Sequence, residues 1–227
     1  MTTTTKTFGS ILIDALSPLH LLKHPYYQAW SDGCLSRNDL CKYATQYYQH
    51  VKAFPRYLSA THSHCKSIED RQFLLENLMD EERGSENHPE LWLRFVESLG
   101  ATRGDAVSGE ALPFTEKLVS TFFHRARNSY AEGLGVLFAY EHQIPEIAAF
   151  KMEALQQFYE VRDERSLSFF EVHKKADIYH TETLKALLEK LSPSEKALAL
   201  EAAQDASEVL WKFLDGMQGL RKLEAVS

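Results

Sequence analysis

Apolar residues recur in steps of three and four along most of the chain, and each run that keeps this step predicts a helix. Residues 11–22 read as a short helix interrupted at Pro18, and residues 25–30 as a second that stops at Asp32-Gly33. Ser36 and Asp39 form a variant capping box ahead of the seam Leu40, Ala44, Tyr47, Val51, Phe54 and Leu58, which predicts a helix to about Cys65. Pro55 lies inside it and removes the hydrogen bond to the Val51 carbonyl, so a kink is expected. Ser67 and Asp70 repeat the cap and open a helix with Leu74, Leu78 and Glu81 on its seam. After a turn at residues 84–87, Pro89 begins a helix with the seam His88, Trp92, Phe95, Leu99 that ends at Gly100. Residues 101–112 hold two glycines and no periodicity, and read as the one flexible loop. A helix over 114–127 follows. The longest prediction covers 130–159, with the seam Tyr130, Leu134, Leu137, Glu141, Ile144, Ala148, Lys151 and Leu155. Pro145 withdraws the bond to the Glu141 carbonyl, which predicts a bend there. A helix over 169–191 is followed by Ser192-Pro193-Ser194-Glu195, capping a last helix to about Met217. With no β-branched alternation, repeat or linker, the expectation is an all-α bundle of about seven to eight helices, a single domain over 1–227.

Several seams are interrupted by ionisable groups. Over 169–191 the seam is Phe170, His173, Asp177, His180, Leu184, Leu187, Leu191. At about 100° per residue the three polar groups fall within roughly 60° of one another, where an inward apolar stripe should continue. A solvated face or a satisfied polar pair would accommodate one such helix. However, Glu81, His88 and Glu141 interrupt three more seams. Burying an unpaired carboxylate costs several kcal/mol. Three carboxylates and three imidazoles suit two metal ions with three protein ligands each, leaving positions open for oxygen or water. Helical bundles build di-iron and di-manganese sites from this ligand mix. The usual pair of Glu-x-x-His motifs is absent, and a single-helix His-x3-Asp-x2-His takes its place. Glu82, Glu132 and Glu171 fall beside their seams and read as solvated. His62 and His64 cannot share a helix face, and His142 points about 100° from Glu141. Tyr43, Tyr47, Tyr48, Tyr130 and Tyr140 read as core aromatics.

Composition narrows the partners. The chain has 227 residues, of which 44% are hydrophobic, enough for a sizeable core. A net charge of −7 argues against a nucleic-acid partner, and no run of Lys and Arg suggests a membrane surface. The longest apolar run, residues 134–140, is too short to cross a bilayer, and the polar start at 1–7 lacks a secretory h-region. Cys34, Cys41 and Cys65 show no Cys-x-x-Cys spacing, so reduced thiols serving as buried filler and a cytoplasmic location are expected. A homodimer is the default assembly.

The stretches His50-Val-Lys-Ala-Phe-Pro-Arg-Tyr-Leu-Ser-Ala and Leu78-Met-Asp-Glu-Glu, with the His-x3-Asp-x2-His run, resemble the CADD-like proteins, a family named for a chlamydial protein associating with death domains. That family sits in the haem-oxygenase-like helical superfamily with the pyrroloquinoline-quinone synthase PqqC and the TenA thiaminases. The resemblance extends from about Leu22 to Leu214 with almost no gaps. It implies a haem-oxygenase-like bundle and a non-haem dimetal oxygenase, an oxidoreductase making p-aminobenzoate for folate biosynthesis with O2 and an external reductant. The ring would come from one of the protein's own tyrosines and the amine from an internal lysine, in a single turnover. The family's metal ligands match Glu81, His88, Glu141, His173, Asp177 and His180, and its ions imply Fe/Fe or Fe/Mn. Aligned through His24 and Trp30, the sacrificed tyrosine corresponds to Tyr27 and the lysine to Lys151, while Tyr43 and Tyr140 match further aromatics near the site. Without the resemblance, Tyr27 reads as a core tyrosine and Lys151 as a snorkelling lysine. The chain ends soon after Met217 without the family's cysteine-rich tail, which puts death-domain binding in doubt rather than the oxygenase. The alternatives are a PqqC-like oxidase, a TenA-like thiaminase (suggested weakly by Glu208-Val-Leu-Trp211-Lys-Phe-Leu) and a non-catalytic protein-interaction module.

Overall fold

Side-chain caps start most of the helices, and left-handed glycines follow α2, α5 and α6 at Gly33, Gly84 and Gly100. The structure, a computed structural model, describes residues 6–224; residues 1–5 of the polar start lie outside the described residues. Among the described residues all regular structure is helical. Helix α1 (Phe8–Leu16) is capped by Thr7, and Pro18 turns the chain through two 3-10 segments, Ser17–Leu19 and Leu21–Lys23. Helix α2 (Pro25–Ser31) is capped by the His24 ring, whose Nδ1 accepts from the Tyr26 amide at 3.0 Å. The Ser36–Asp39 capping box opens α3 (Arg37–Val51) as the spacing predicts.

The expected kink at Pro55 is a complete break, dividing the run into α3 and α4 (Phe54–His64). Ser67 caps α5 (Ile68–Glu82), and Asn87 caps α6 (His88–Ser98). The expected loop at 101–112 contains a short helix, α7 (Arg103–Val107), opened by a capping box between Thr102 and Asp105 and too short to carry an apolar period. Helix α8 (Pro113–Asn128) leads into α9 (Tyr130–Glu141), and the bend expected at Glu141 is again a break, after which α10 (Ile144–Phe158) begins. The longest helices are therefore α11 (Glu164–Glu189) and α12 (Pro193–Glu224). Helix α11 begins five residues before the seam suggests, because Asp163 caps it. The reciprocal Ser192–Glu195 bonds cap α12, which runs past Met217. Two breaks and one short helix turn the nine runs of the periodicity into twelve α-helices among the described residues, more than the seven or eight expected.

Helix α9 is the axis of the bundle. It is buried on every side from Ala131 to Glu141 and packed by α4, α8, α11 and α12. Its glycines permit that crowding: a Cβ at Gly133 would strike Thr61 of α4, and one at Gly135 would strike the Ala199 carbonyl of α12. Glu132, expected in solvent, is buried instead, because Arg125 of α8 lies 2.8 Å from it and joins it to Glu201 and Asp205 of α12. No helix among the described residues is long and apolar enough to cross a membrane.

The Gly135 contact is with backbone that cannot step aside. Gly135→Ala is expected to cost about 1–3 kcal/mol, each kcal/mol lowering Tm by about 2–4 °C. Gly219 of α12 has nothing within 4 Å of a built Cβ, so Gly219→Ala should leave Tm unchanged or raise it. Thermal melts of the two variants check this.

Candidate metal centre and its tyrosine–lysine pocket

The six ionisable residues of the interrupted seams converge. Glu81 at the end of α5, His88 at the start of α6 and His173 of α11 bring one ligand atom each to within 4.8 Å of one another. Glu141 at the end of α9 and Asp177 and His180 of α11 form a second such group. All six are buried. The i, i+4, i+7 spacing along α11 supplies both groups, which is why that helix bears three of them.

Neighbouring groups fix how the rings point. His173 Nδ1 donates to the Phe169 carbonyl at 2.7 Å, leaving Nε2 as the bare nitrogen, 3.9 Å from Glu81 Oε1. His88 Nδ1 lies 2.8 Å from Glu81 Oε2 but out of line for a hydrogen bond, so the two atoms are close without being paired. His180 Nδ1 is 3.3 Å from Asp177 Oδ1, and its Nε2 is 3.1 Å from Asp80 Oδ2. Asn77 Nδ2 donates to Glu141 Oε1 at 2.9 Å. Glu141 Oε2 and Asp177 Oδ2 are buried with no hydrogen-bond partner, an expensive state for carboxylate oxygens. Orphaned hard oxygens interleaved with imidazole nitrogens are the donor set of iron or manganese, so the residues fit such ions.

Electrostatics tell the same story. Burial pushes the Glu141 carboxyl up to about 8 and the Asp177 carboxyl up to about 6. Burial pulls His180 down, but the Asp177 hydrogen bond and the Glu141 charge outweigh it and hold the ring at about 9. Burial drives His173 well below its usual value, with the neighbouring His88 adding to the effect. The cluster thus compensates for missing positive charge by taking up protons.

The second constellation lies beside it. Lys151 of α10 is buried, with Nζ 2.9 Å from Tyr27 Oη of α2 and 2.7 Å from Tyr43 Oη of α3, and the two phenols are 2.7 Å apart. The amine also sits 4.4 Å from the Tyr27 ring centroid and 5.1 Å from that of Trp30. Among the described residues no carboxylate pairs with Lys151, and burial holds its amine well below the ordinary lysine value. Burial likewise raises both phenols well above theirs. Lys151 therefore does not snorkel. Tyr43 stacks on Tyr47 at 5.2 Å, and the Tyr47 hydroxyl donates to Tyr140 Oη at 3.2 Å. A pocket of about 10 Å³, room for one water molecule, is lined by Tyr47, Trp92, Tyr140, Lys151 and Phe169. Phe169 stacks on His173 at 4.0 Å and Tyr140 precedes Glu141, so this pocket touches both constellations.

Sequence reasoning missed three residues here. Asn77 stands one turn before Glu81 on α5, a polar signal that was available, whereas Asp80 sits on the exposed side of that helix. His50 is enclosed by Tyr47, Tyr57, Phe122 and Tyr140 with neither nitrogen partnered, and burial holds it at about 3. Of the cysteines only Cys65 is buried; Cys34 is exposed, Cys41 half-buried, and neither ligand group includes one. His62 and His64 occupy the last turn of α4, apart from both ligand groups.

Residues 41–211 match a haem-oxygenase-type family described as iron-containing redox enzymes. The 4-aminobenzoate synthase of Nitrosomonas europaea is 43% identical over 94% of this chain and 92% of its own length. The pyrroloquinoline-quinone synthase of Ectopseudomonas mendocina is 24% identical over 92% of this chain and 86% of its own. Among solved structures, a TenA homologue from Pseudomonas syringae superposes with a TM-score of 0.79 over 93% of each chain, at 19% identity, a likeness of fold.

Stability should record the proton uptake. Glu141, Asp177 and His180 all bind protons more tightly folded than unfolded, where carboxyls titrate near about 4 and imidazole near about 6.5. The stability they contribute is complete below those unfolded values and is lost as pH rises through about 6, 8 and 9. Histidines held down by burial are neutral in both states above about pH 6.5 and do not contribute there. Lys151, which burial lowers, works in the opposite sense, so in metal-free protein Tm is expected to fall where Glu141 and His180 act together, between about pH 6.5 and 8, and Glu141→Gln should flatten the slope. A Tm that rises across that window contradicts the burial assigned to these groups.

Proposed function

Because the chain belongs to the haem-oxygenase-like family of iron-containing redox enzymes, we propose that it is a 4-aminobenzoate synthase that takes the ring from its own Tyr27 and the amine from its own Lys151. The observation that carries this reading is the 2.9 Å approach of Lys151 Nζ to Tyr27 Oη inside a pocket walled off from solvent. In p-aminobenzoate the amine occupies the ring position that bears the hydroxyl in tyrosine, and the carboxyl carbon occupies that of Cβ. The nitrogen donor therefore belongs beside the phenol oxygen, one bond from the ring carbon that exchanges oxygen for nitrogen.

Two ions, Fe/Fe or Fe/Mn, held by Glu81, His88 and His173 and by Glu141, Asp177 and His180, would supply the capacity to reduce O2 with electrons from an external reductant. The chain's own groups do the rest. Burial holds the Lys151 amine well below the ordinary lysine value, which favours the neutral form with its lone pair available. Tyr43 Oη, in reach of both Lys151 Nζ and Tyr27 Oη, can hold or pass the proton that leaves either. The stacked Tyr43–Tyr47 pair and the Tyr47–Tyr140 hydrogen bond join this triad to the metal ligands through contiguous phenols. Asn77 orients Glu141, and Asp80 holds the outer nitrogen of His180. Consuming a ring and an amine alters the protein after each cycle, so one molecule makes one product.

PqqC-like and TenA-like chemistries draw support from the more distant likenesses alone. A non-catalytic interaction module accounts for neither the unpaired buried lysine nor the orphaned carboxylate oxygens, both of which cost stability.

Intact-mass measurement before and after exposure to O2 and reductant tests the proposal. Protein mass should fall, and p-aminobenzoate carrying label from tyrosine-labelled protein should appear. Tyr27→Phe and Lys151→Met should each yield no labelled product; labelled product from Tyr27→Phe would exclude that donor. Elemental analysis should find about two metal equivalents per chain, as the paired ligand groups require, with a clear loss in His173→Ala.

A further inference from the structure

A cleft of about 710 Å³ opens on the face of the bundle where the α3–α4 break meets α8. None of its lining residues belongs to the metal ligands or the tyrosine–lysine pocket. Lys52 and Arg56, four residues apart across the α3–α4 break, and Arg127 from the last turn of α8 stand around it. Among the described residues none of these three side chains makes a hydrogen bond or ion pair, whereas Arg94, Arg103 and Arg125 each engage carboxylates. Glu116 is the one carboxylate in the lining, and it pairs with none of them. A chain of net charge −7 thus keeps a concave patch of three cations against one anion.

The two arginines are built in place. Arg56 Cζ lies 4.5 Å, and Arg127 Cζ 4.7 Å, from the centroid of the Phe123 ring. Stacking on an aromatic ring holds a guanidinium plane while leaving its N–H edges unused, and those edges match phosphate oxygens in pairs. The remaining wall is apolar, with Ala53, Ala111 and Val119, and the volume falls in the range of about 300–1,000 Å³ typical of small-molecule sites. Phe123 packs on Tyr57, Tyr57 on His50 and His50 on Tyr140, so the cleft wall is continuous with the aromatic lining of the metal centre. We propose that this cleft binds a phosphate monoester carrying a flat ring, a molecule of mononucleotide size. Three cations suit a dianionic phosphate better than a single carboxylate, and the apolar wall takes the ring. The assignment stands independently of the reaction proposed above.

Flavin mononucleotide is a suitable probe, with riboflavin as the same ring lacking the phosphate. Calorimetric titration of the full chain should show one equivalent of flavin mononucleotide bound, weakening as salt rises. The double variant Arg56→Ala/Arg127→Ala should raise Kd at least about tenfold, the loss expected from removing charged hydrogen bonds to a phosphate. Arg162→Ala, whose side chain bonds the Gln156 carbonyl elsewhere, should leave Kd unchanged, and inorganic phosphate should compete. All three side chains of the cleft are exposed, so the variants should keep the parent Tm. Riboflavin binding as tightly as the nucleotide, a Kd indifferent to the double substitution, or no binding up to millimolar concentration each overturns the proposal. Capture of an acidic polypeptide without any mononucleotide binding does the same.

Discussion

Everything in this bundle answers to the burial of three carboxylates and three imidazoles at one end of its central helix. An apolar interior tolerates such groups only when positive charge is supplied to them. Without ions the cluster meets that need by proton uptake, which is why burial raises Glu141 and Asp177 while their carboxylates hold His180 protonated. The remedy is incomplete, because two carboxylate oxygens still find no donor. Two divalent ions would discharge the protons and take up the orphaned oxygens together, so metal binding and folding draw on the same groups.

The two prolines that interrupt the long helices serve that centre. Pro145 ends α9 so that Glu141 is its last residue, and the chain then restarts as α10 on a new axis carrying Lys151 inward. One unbroken helix would have kept Glu141 and Lys151 on one line, about 15 Å apart by the rise of 1.5 Å per residue. The break at Pro55 likewise separates α3, which brings Tyr43 and Tyr47 to the pocket, from α4, which supports α9 at Gly133. Proline here sets direction, and the close helix packing at Gly133 and Gly135 holds the result rigid.

Much of this was legible in the chain because the strongest sequence signal, helical period, is also what the site violates. Glu81, Glu141, His173, Asp177 and His180 stand where apolar residues were due, and the structure brings each of them to the cluster together with His88. Capping boxes at Ser36 and Ser192 were equally readable, being local and stereochemical. Other features were not, for identifiable reasons. Glu132 lies off its seam and reads as solvated, yet α9 is buried all round, so no face of it meets water. Its partner Arg125 comes from another helix, and such pairing has no local signature. Tyr27 and Lys151 were distinguished only by resemblance, since a tyrosine or lysine on a seam looks like any other until a fold sets their atoms 2.9 Å apart. The cation cleft, assembled from positions 52, 56 and 127, was equally invisible.

Lys151 ties these strands together. A structural lysine at that depth would be paired with a carboxylate or replaced by an apolar residue of similar length, either of which stabilises the fold more. Carboxylates are close at hand in the neighbouring cluster, yet phenols rather than acids surround the amine. An acidic partner would hold the nitrogen as ammonium and remove the lone pair that the proposed amine transfer requires. The lining differs accordingly: acids and imidazoles surround the candidate metal centre, and hydroxyl-bearing rings surround the buried amine. The phenols that bond the amine come from α2 and α3, while the carboxylates of the cluster come from α5, α9 and α11.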